Sequence, residues 1–262
     1  MNLISMENFA LVAQYADLFK QGMIVTILLS ALTVLFGFLL ALLLAIMRLS
    51  TFQPLRFLAL DKQGHLRDQG ALVVLSRFNP ISFIATVYVE LIRATPMLVQ
   101  LWLVYFLLFN KNVISLPQVT VLGFIRLERF IPGVVALALN SGAYLSEIIR
   151  AGIQSIDGGQ TEAARSLGLT QGQNMRFIVL PQAIKNILPA IANEFVTIIK
   201  ESAITYTIGV QDIMAAVNAA KGALYIVIEP LLVATVMYFC LTFPTSKIIA
   251  YFERRMSRGD KR

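Results

Sequence analysis

The 262-residue sequence has few of the residues that build disulfides, metal centres or soluble surfaces. It contains one cysteine, Cys240, and one histidine, His65. A single cysteine excludes an intrachain disulfide, and so small a number of Cys and His residues excludes a zinc site of the usual type. Only 14% of the residues are charged, compared with about 25% in soluble domains. The composition therefore excludes an ordinary soluble domain, and we expect no metal site.

Apolar residues take the place of the missing charges. They make up 57% of the chain, and the mean hydropathy is +0.73. A membrane-spanning helix needs about 20 predominantly apolar residues. The pattern predicts an all-α integral membrane protein, with one domain over 1–262 and a bundle of five spanning helices. The predicted spans are 22–47, 81–109, 131–149, 183–208 and 223–251.

Basic residues are unevenly distributed between the segments that connect these spans. Of the 22 Lys and Arg residues, 15 lie on the side of the carboxyl terminus and five lie on the other side. Because basic residues are enriched in cytoplasmic loops, we expect the amino terminus outside and the carboxyl terminus in the cytoplasm. The same rule explains the net charge of +7, so nucleic acid is not an expected partner.

A polar segment, 155–182, connects the third and fourth predicted spans. Asp157 or Thr161 is placed to cap a first short helix. Gly168 permits a sharp turn after that helix, and Pro181 is expected to end or redirect a second one. The two helices would form a compact cytoplasmic knob. From the residues alone, an ordinary amphipathic loop explains this pattern equally well.

The knob segment contains Glu162-Ala163-Ala164, then Gly168 and, after nine intervening residues, Ile178-Val179-Leu180-Pro181. With these residues at these spacings, the segment resembles the EAA loop of permease subunits in ATP-binding-cassette (ABC) importers. The stretches 88–101 and 200–203 resemble signatures of the branch that imports polar amino acids, and the resemblance covers most of residues 20–255. The chain departs from this branch in a longer insertion at about 60–75 and in Glu201-Ser202-Ala203. These departures concern the substrate more than the transporter class.

The resemblance implies a coupling role for the knob. In that family the knob fits a cleft on the ATPase subunit, and closure of the ATPase dimer switches access from outside to inside. It implies that Glu162 is a polar anchor, that Gly168 forms the turn, and that Arg165 or Arg176 donates a salt bridge. It also implies that Ala163, Ala164 and Leu167 form the packing surface and that Pro181 closes the segment.

The resemblance also implies partners and a location. The partners are two copies of an ABC ATPase, a second permease copy that is identical or homologous, an extracytoplasmic amino-acid-binding protein and membrane lipid. The location is the bacterial cytoplasmic (inner) membrane, with several passes. The sequence has no Gly-x4-Gly-Lys-Ser/Thr phosphate loop. We therefore expect ATP and Mg²⁺ on the partner ATPase, and we do not expect this chain to be an enzyme.

Nine polar residues within the predicted spans are candidates for the substrate pathway. Charged groups inside a bilayer are costly and usually mark interior or functional positions. The candidates are Glu90, Arg93, Asn140, Tyr144, Glu147, Glu194, Thr197, Lys200 and Glu201. Glu194 and Glu201 share a helix face and would bind the ammonium group of an amino acid. Arg93 or Lys200 would bind its carboxylate.

Structural pairing explains the same charges at least as well. Glu90 and Arg93 are three residues apart, so an ion pair between them is expected on one helix face. Glu147 is placed to pair with Arg150 in the same way.

Two other functions fit the sequence besides an amino-acid importer. An autonomous secondary transporter or channel would use the same intramembrane charges, but it has no need of the knob. An ABC importer for another small polar solute, such as an opine or a sulfur amino acid, would keep the knob.

Overall fold

The computed structural model describes residues 5–55 and 76–257. Its helices are α1 (Met6–Ala13), α2 (Ala16–Leu49), α3 (Pro80–Ala94), α4 (Met97–Leu103), α5 (Leu127–Gln154), α6 (Gly158–Ser166), α7 (Gln171–Asn174), α8 (Leu180–Glu201), α9 (Ile213–Leu224) and α10 (Ile228–Ser257). Short helical turns of other types occur at Val104–Leu108 (π), Met175–Val179 (π) and Ser202–Ile208 (3₁₀). A hairpin joins β1 (Thr120–Val121) antiparallel to β2 (Ile125–Arg126). The predicted insertion at 60–75 lies outside the described residues.

Three of the described helices are long and apolar enough to cross a membrane, namely α2, α5 and α10. Helices α3 and α4, with the π turn that follows, meet the same condition together, but they are bent by 113° at the break between them. Pro96 lacks the N–H that would continue the helix, so the sequence alone indicates a bend there, and the structure confirms it. Helix α8 has 22 residues but carries charges along its length, and it does not meet the condition. The count of five spans and the orientation stay predictions.

Residues 213–224 form helix α9, although the sequence between the fourth and fifth predicted spans indicates only a short polar connection. Asp212 caps this helix, since its Oδ1 accepts a hydrogen bond from the Ala215 amide at 2.8 Å. The apolar residues at helical spacing, Ile213, Ala216, Val217 and Ala220, are buried. Tyr225 then adopts a left-handed conformation with φ of 56° and ends the helix. The predicted start of the last span at 223 is therefore wrong, and α10 begins at Ile228.

The core follows the pair formed by α2 and α5. Small residues let the two helices approach closely. A Cβ added at Gly37 would lie 3.2 Å from the Ser141 Cβ, and one added at Gly142 would lie 2.8 Å from a Leu40 methyl carbon. Helix α10 is peripheral, because only 6% of the residues in its most apolar 18-residue stretch are buried inside the chain. Its remaining apolar side chains are left for lipid or for another subunit.

Candidate functional site

The knob is built by two capped helix starts and one left-handed glycine. Asp157 caps α6, since its side chain accepts a hydrogen bond from the Gly159 amide at 2.8 Å, which confirms one of the two predicted caps. Gly168 ends the turn after α6 with φ of 81°. Thr170 and Gln173 then form a reciprocal capping box at the start of α7. The chain therefore reverses direction within a few residues.

A hydrogen bond and a buried alanine hold the two arms of the knob together. The Asn174 amide nitrogen donates to the Thr161 hydroxyl at 3.1 Å, and the Asn174 side chain is buried. Ala164, which the sequence analysis assigns to the docking surface, is only 1% exposed. Because it packs inside the knob, it is not available to a partner. Its small size serves the internal packing of the knob.

The surface of the knob is both polar and apolar. Glu162, Ala163 and Arg165 are exposed, and the Leu167 side chain is 80% exposed at the tip. Phe177 adds a second apolar side chain that is 63% exposed. Large exposed apolar residues beside charged ones are typical of a surface that binds another protein.

Pro181 does not end the second arm of the knob, so of the two expectations for this residue, ending or redirecting the helix, the first is wrong. The chain continues from α7 through the π turn Met175–Val179 directly into α8, where Pro181 occupies the first turn. A proline ring cannot supply the N–H that the preceding turn would receive, and a widened π turn relieves the conflict. The knob is thus continuous with α8 and is also joined to α5 through residues 155–157.

An ion-pair cluster lies at the knob end of α5. Glu147 pairs with Arg150 at 2.7 Å, as the sequence predicts, and it also pairs with Arg48 of α2. The Arg150 guanidinium further donates to the Gln154 side chain at 2.7 Å. Glu147 therefore has a structural role between α2 and α5. Sequence analysis missed Arg48, although its place in the last turn of a span put it at the correct end of the bundle.

Asn140 also has a structural role, through a partner that sequence analysis missed. Its amide nitrogen donates to Gln100 Oε1 at 2.9 Å, and both side chains are buried. Gln100 Nε2 in turn donates to the Ile92 carbonyl oxygen at 2.6 Å and to the Thr95 hydroxyl at 2.8 Å. These bonds satisfy backbone groups released by the break at Pro96. The sequence feature that could have indicated this role is a glutamine four residues after a proline in an apolar run.

Arg93 contacts an aromatic ring and not Glu90. Its guanidinium carbon lies 5.6 Å from the centre of the Tyr144 ring, a cation–π distance. In the described part of the chain the expected ion pair between Glu90 and Arg93 is not formed, and both side chains are exposed. The structural explanation given for this pair is therefore wrong, and Arg93 remains available to a ligand or a partner.

The candidates on α8 are less constrained. Glu194 Oε1 accepts a hydrogen bond from the Ser141 hydroxyl of α5 at 3.3 Å. Thr197 donates to the backbone of its own helix, and Lys200 and Glu201 are exposed. Within the described residues, no hydrogen bond or ion pair joins Arg93 to this group. The structure thus places charges of both signs on α3 and α8 but does not bring them into direct contact.

No group of three or more His, Cys, Asp or Glu residues that could hold a metal occurs among the residues described. The polar candidates are therefore organised as helix contacts and as exposed charges. Chemically, such an arrangement can bind and release a charged solute.

A family model and individual relatives place the chain in the same family of transport proteins. The model of the binding-protein-dependent transport system inner membrane component family matches residues 70–258. The arginine transport system permease protein ArtQ of Bacillus subtilis (strain 168) is 45% identical over 190 residues, which cover 72% of this chain and 82% of that protein. The putative glutamine transport system permease protein GlnP of Rickettsia conorii is 34% identical over 236 residues, which cover 90% of this chain and 91% of that protein.

Solved structures agree with these relatives. The chain superposes on one described as the crystal structure of an amino acid ABC transporter with histidines, with a TM-score of 0.76 and 39% identity, covering 94% of this chain and 98% of that one. The methionine ABC transporter MetNI in an inward-facing conformation gives a TM-score of 0.64 at 16% identity, and the match covers 92% of this chain and 97% of that one. At this identity the match shows likeness of fold alone. The predicted class, an all-α membrane protein, is confirmed apart from the two-residue strands of the hairpin.

Proposed function

Because the chain belongs to the family of binding-protein-dependent transport system inner membrane components, we propose that it is the transmembrane subunit of an ATP-driven importer that moves a polar amino acid into the cytoplasm. It is a transport component and not an enzyme. The amino-acid substrate is supported by the names of similar proteins, which include arginine and glutamine permeases. Family membership also favours this function over an autonomous secondary transporter or channel.

The observation that carries the proposal is the knob with its exposed tip. It connects α5 to α8. Helix α5 is the most buried of the candidate spans, since 67% of the residues in its most apolar 18-residue stretch are buried inside the chain. A force applied at Leu167 is therefore passed to the centre of the bundle. The Arg48 and Arg150 pairs of Glu147 tie the same end of α5 to α2. Movement of the knob would rotate α5, α8 and α2 together and would switch access between the two sides.

The partners follow from this coupling role. Two ATPase subunits would bind the knobs of two permease copies, identical or homologous, and would hold ATP and Mg²⁺. An extracytoplasmic amino-acid-binding protein would deliver the substrate. The complex would lie in the bacterial cytoplasmic (inner) membrane. Its substrate would meet Glu194 and Glu201 as acceptors for the ammonium group and Arg93 or Lys200 as donors to the carboxylate.

A second substrate class is favoured by one relative. The nopaline transport system permease protein NocM of Agrobacterium fabrum is 39% identical over 184 residues, covering 70% of this chain and 75% of that protein. An opine carries the ammonium and carboxylate groups of an amino acid, so the same charges would suit it. Uptake of labelled nopaline in competition with arginine distinguishes the two substrates.

A cross-linking experiment tests the coupling role. Cys240 is the single cysteine, so a Cys240→Ser background permits one new thiol at a time. Leu167→Cys places that thiol at the knob tip, and Tyr225→Cys places it on a side chain that is 91% exposed after α9. We expect a bifunctional maleimide to join the Leu167→Cys variant to the ATPase subunit in membranes and to leave the Tyr225→Cys control unjoined. Cross-linking of the control alone would refute the proposed docking.

A further inference from the structure

We propose that the end of the bundle opposite the knob holds a second ligand site, where Glu128 and Arg129 bind the ammonium and carboxylate groups of a small zwitterion of the α-amino-acid class. The site is a cavity of about 490 Å³ beside the start of α5, within the roughly 300–1,000 Å³ typical of small-molecule sites. The choice of ligand class rests on the proposed function, whereas the site itself rests on the contacts of these residues.

The cavity is separate from the pathway candidates on α5. Glu128 lies in the first turn of α5, and the knob follows the last turn at Gln154, about 39 Å away at 1.5 Å per residue. Asn140, the nearest pathway candidate on this helix, is about 18 Å from Glu128 by the same measure. A ligand held here would occupy the mouth of the bundle and not its middle.

Glu128 supplies the position for a cation. Its side chain is half-buried, and its Oε2 atom is buried with no hydrogen-bond partner among the described residues. A buried carboxylate oxygen without a donor is unfavourable, because the hydration it loses is not replaced. The first turn of α5 stabilises the negative charge through the helix dipole, but it gives this oxygen no hydrogen bond. An ammonium group has three N–H donors and would supply one after a rotation of the Glu128 carboxylate that turns this closed-off oxygen toward the cavity.

Arg129 supplies the position for an anion. One of its terminal nitrogens donates to the Ile208 carbonyl oxygen at 3.3 Å, and its guanidinium carbon lies 5.2 Å from the centre of the Tyr105 ring. These two contacts fix the guanidinium beside the cavity but use only part of its five N–H donors. The remaining donors are free to bind a carboxylate. Lys111, which is exposed on the facing loop, adds positive charge at the rim.

The loop that forms the outer wall is held in place independently of a ligand. The Asn110 amide nitrogen donates to the Phe106 and Leu107 carbonyl oxygens at 3.1 and 2.8 Å, and its oxygen accepts from the Asn112 amide at 2.8 Å. These bonds close the π turn Val104–Leu108, which carries Tyr105. The wall is therefore organised before a ligand arrives, which lowers the entropic cost of binding.

A local reporter tests this site in the assembled complex. Ser115 lines the cavity and is exposed, so Ser115→Cys in a Cys240→Ser background allows an environment-sensitive fluorophore to be attached there. The permease is purified with its ATPase in nanodiscs, and L-arginine and L-glutamine are titrated without the binding protein. We expect a saturable change in fluorescence with at least one of them.

Two variants and one analogue decide the assignment. Glu128→Gln should weaken the response by about tenfold or more, since a charge-assisted hydrogen bond is lost. Asp17→Asn, which neutralises an exposed carboxylate elsewhere, should change the affinity by less than about twofold. Agmatine, which is arginine without its carboxylate, should bind the unmutated site more weakly than arginine does.

The proposal is overturned by an absent response to both amino acids, by an unchanged affinity in Glu128→Gln, or by agmatine binding as tightly as arginine. ATP-driven uptake is measured in parallel on the same preparation. Uptake without a reporter response refutes this site and leaves the proposed function standing. A saturable response without uptake supports the site and counts against the proposed function.

Discussion

Gln100 shows how a single polar side chain stabilises the irregular part of a membrane helix. The break at Pro96 frees backbone carbonyl groups of α3, and the Gln100 amide binds the Ile92 carbonyl oxygen and the Thr95 hydroxyl. Asn140 of α5 holds Gln100 from the other side. The bend between α3 and α4 is thus fixed to the central helix by one buried network.

Replacing Gln100 with leucine should destabilise the protein. Leucine fills a similar volume but leaves the Asn140 amide nitrogen without a partner and leaves the Ile92 carbonyl oxygen with only the 3.4 Å bond from the Thr95 hydroxyl, at a cost of about 1–3 kcal/mol. The measurement is the midpoint of thermal unfolding in detergent, with Gln14→Leu at an exposed position as the control. Combining Gln100→Leu with Asn140→Leu should cost less than the sum of the single changes. Additive effects would show that the two side chains are not coupled.

Asp212 gives a prediction that depends on pH. It lies outside the predicted spans, its side chain is 1% exposed, and burial raises the pKa of its carboxyl to about 7. The unfolded chain has a pKa of about 3.9 for this group. Between these values the unfolded state binds fewer protons, so this group makes the free energy of unfolding decrease as the pH rises from about 4 to 7.

The Asp212→Asn variant should lose that part of the pH dependence. Asparagine keeps an oxygen that accepts from the Ala215 amide, and it carries no charge to bury. We expect it to be at least as stable as the unmodified protein at pH 8. Asp212→Ala, which also loses the cap, should be less stable than Asp212→Asn by about 0.5–2 kcal/mol. Unfolding midpoints measured from pH 4 to 8 check this, and an unchanged slope in Asp212→Asn would contradict it.

For single residues, local spacing predicted some partners at short separation correctly, but not Glu90 with Arg93, and it missed the partners at long separation. Glu147 with Arg150 follows from helical spacing, and the Asp157 cap follows from local chain chemistry. Arg48 with Glu147 and Gln100 with Asn140 join residues 99 and 40 positions apart. Such pairs depend on how α2, α4 and α5 pack, which local periodicity does not contain.

The knob is the element on which the proposed transport mechanism depends. Its two arms are held together by Asn174 and Ala164, and its reversal depends on the left-handed conformation of Gly168. A Cβ at Gly168 would meet no atom within 4 Å, so a substitution there strains the backbone without creating a steric clash.

Gly168→Val should therefore uncouple transport without preventing membrane insertion. A left-handed conformation costs an L-residue about 1–2 kcal/mol, and a β-branched residue tolerates it poorly. We expect reduced uptake and weaker co-purification of the ATPase. Gly123 is a matched control, because it has φ of 77° and open space around it at the opposite end of α5. Full uptake and normal ATPase binding in Gly168→Val would refute the role of the turn.

Capping residues and glycine located the knob from the sequence, but several other elements were not predictable in this way. Helix α9 was missed because Asn218 and Lys221 on its exposed face suggested a loop, whereas its apolar face carries four small or branched residues that are buried. The π turn before Pro181 was missed because a proline ordinarily indicates a helix end. Packing against neighbours explains α9, whereas the π turn lets the chain pass Pro181 without ending the helix.

For the whole molecule, composition was enough to predict a helical membrane protein, and one motif was enough to predict its family. The number of spans is harder to predict, because α8 carries charges that its position in the bundle must accommodate. No local rule distinguishes such a helix from one that lies at the surface. The orientation likewise rests on the distribution of basic residues alone.

Labelling with a membrane-impermeant maleimide tests the orientation in intact cells. In the Cys240→Ser background, the thiol of Tyr225→Cys should react from outside, because five spans would place residue 225 on the outer side. The thiol of Leu167→Cys should react only after the membrane is permeabilised. The reverse pattern would contradict the predicted orientation.

The energy source for uptake tests the central claim most directly. Proteoliposomes that contain this permease, its second permease if the two differ, and the ATPase are supplied with the binding protein and labelled arginine or glutamine. We predict uptake that requires enclosed ATP and that persists when a protonophore and an ionophore collapse the ion gradients. Uptake that proceeds without ATP and stops when the gradients collapse would show that the protein is a gradient-driven transporter and not a subunit of an ATP-driven importer.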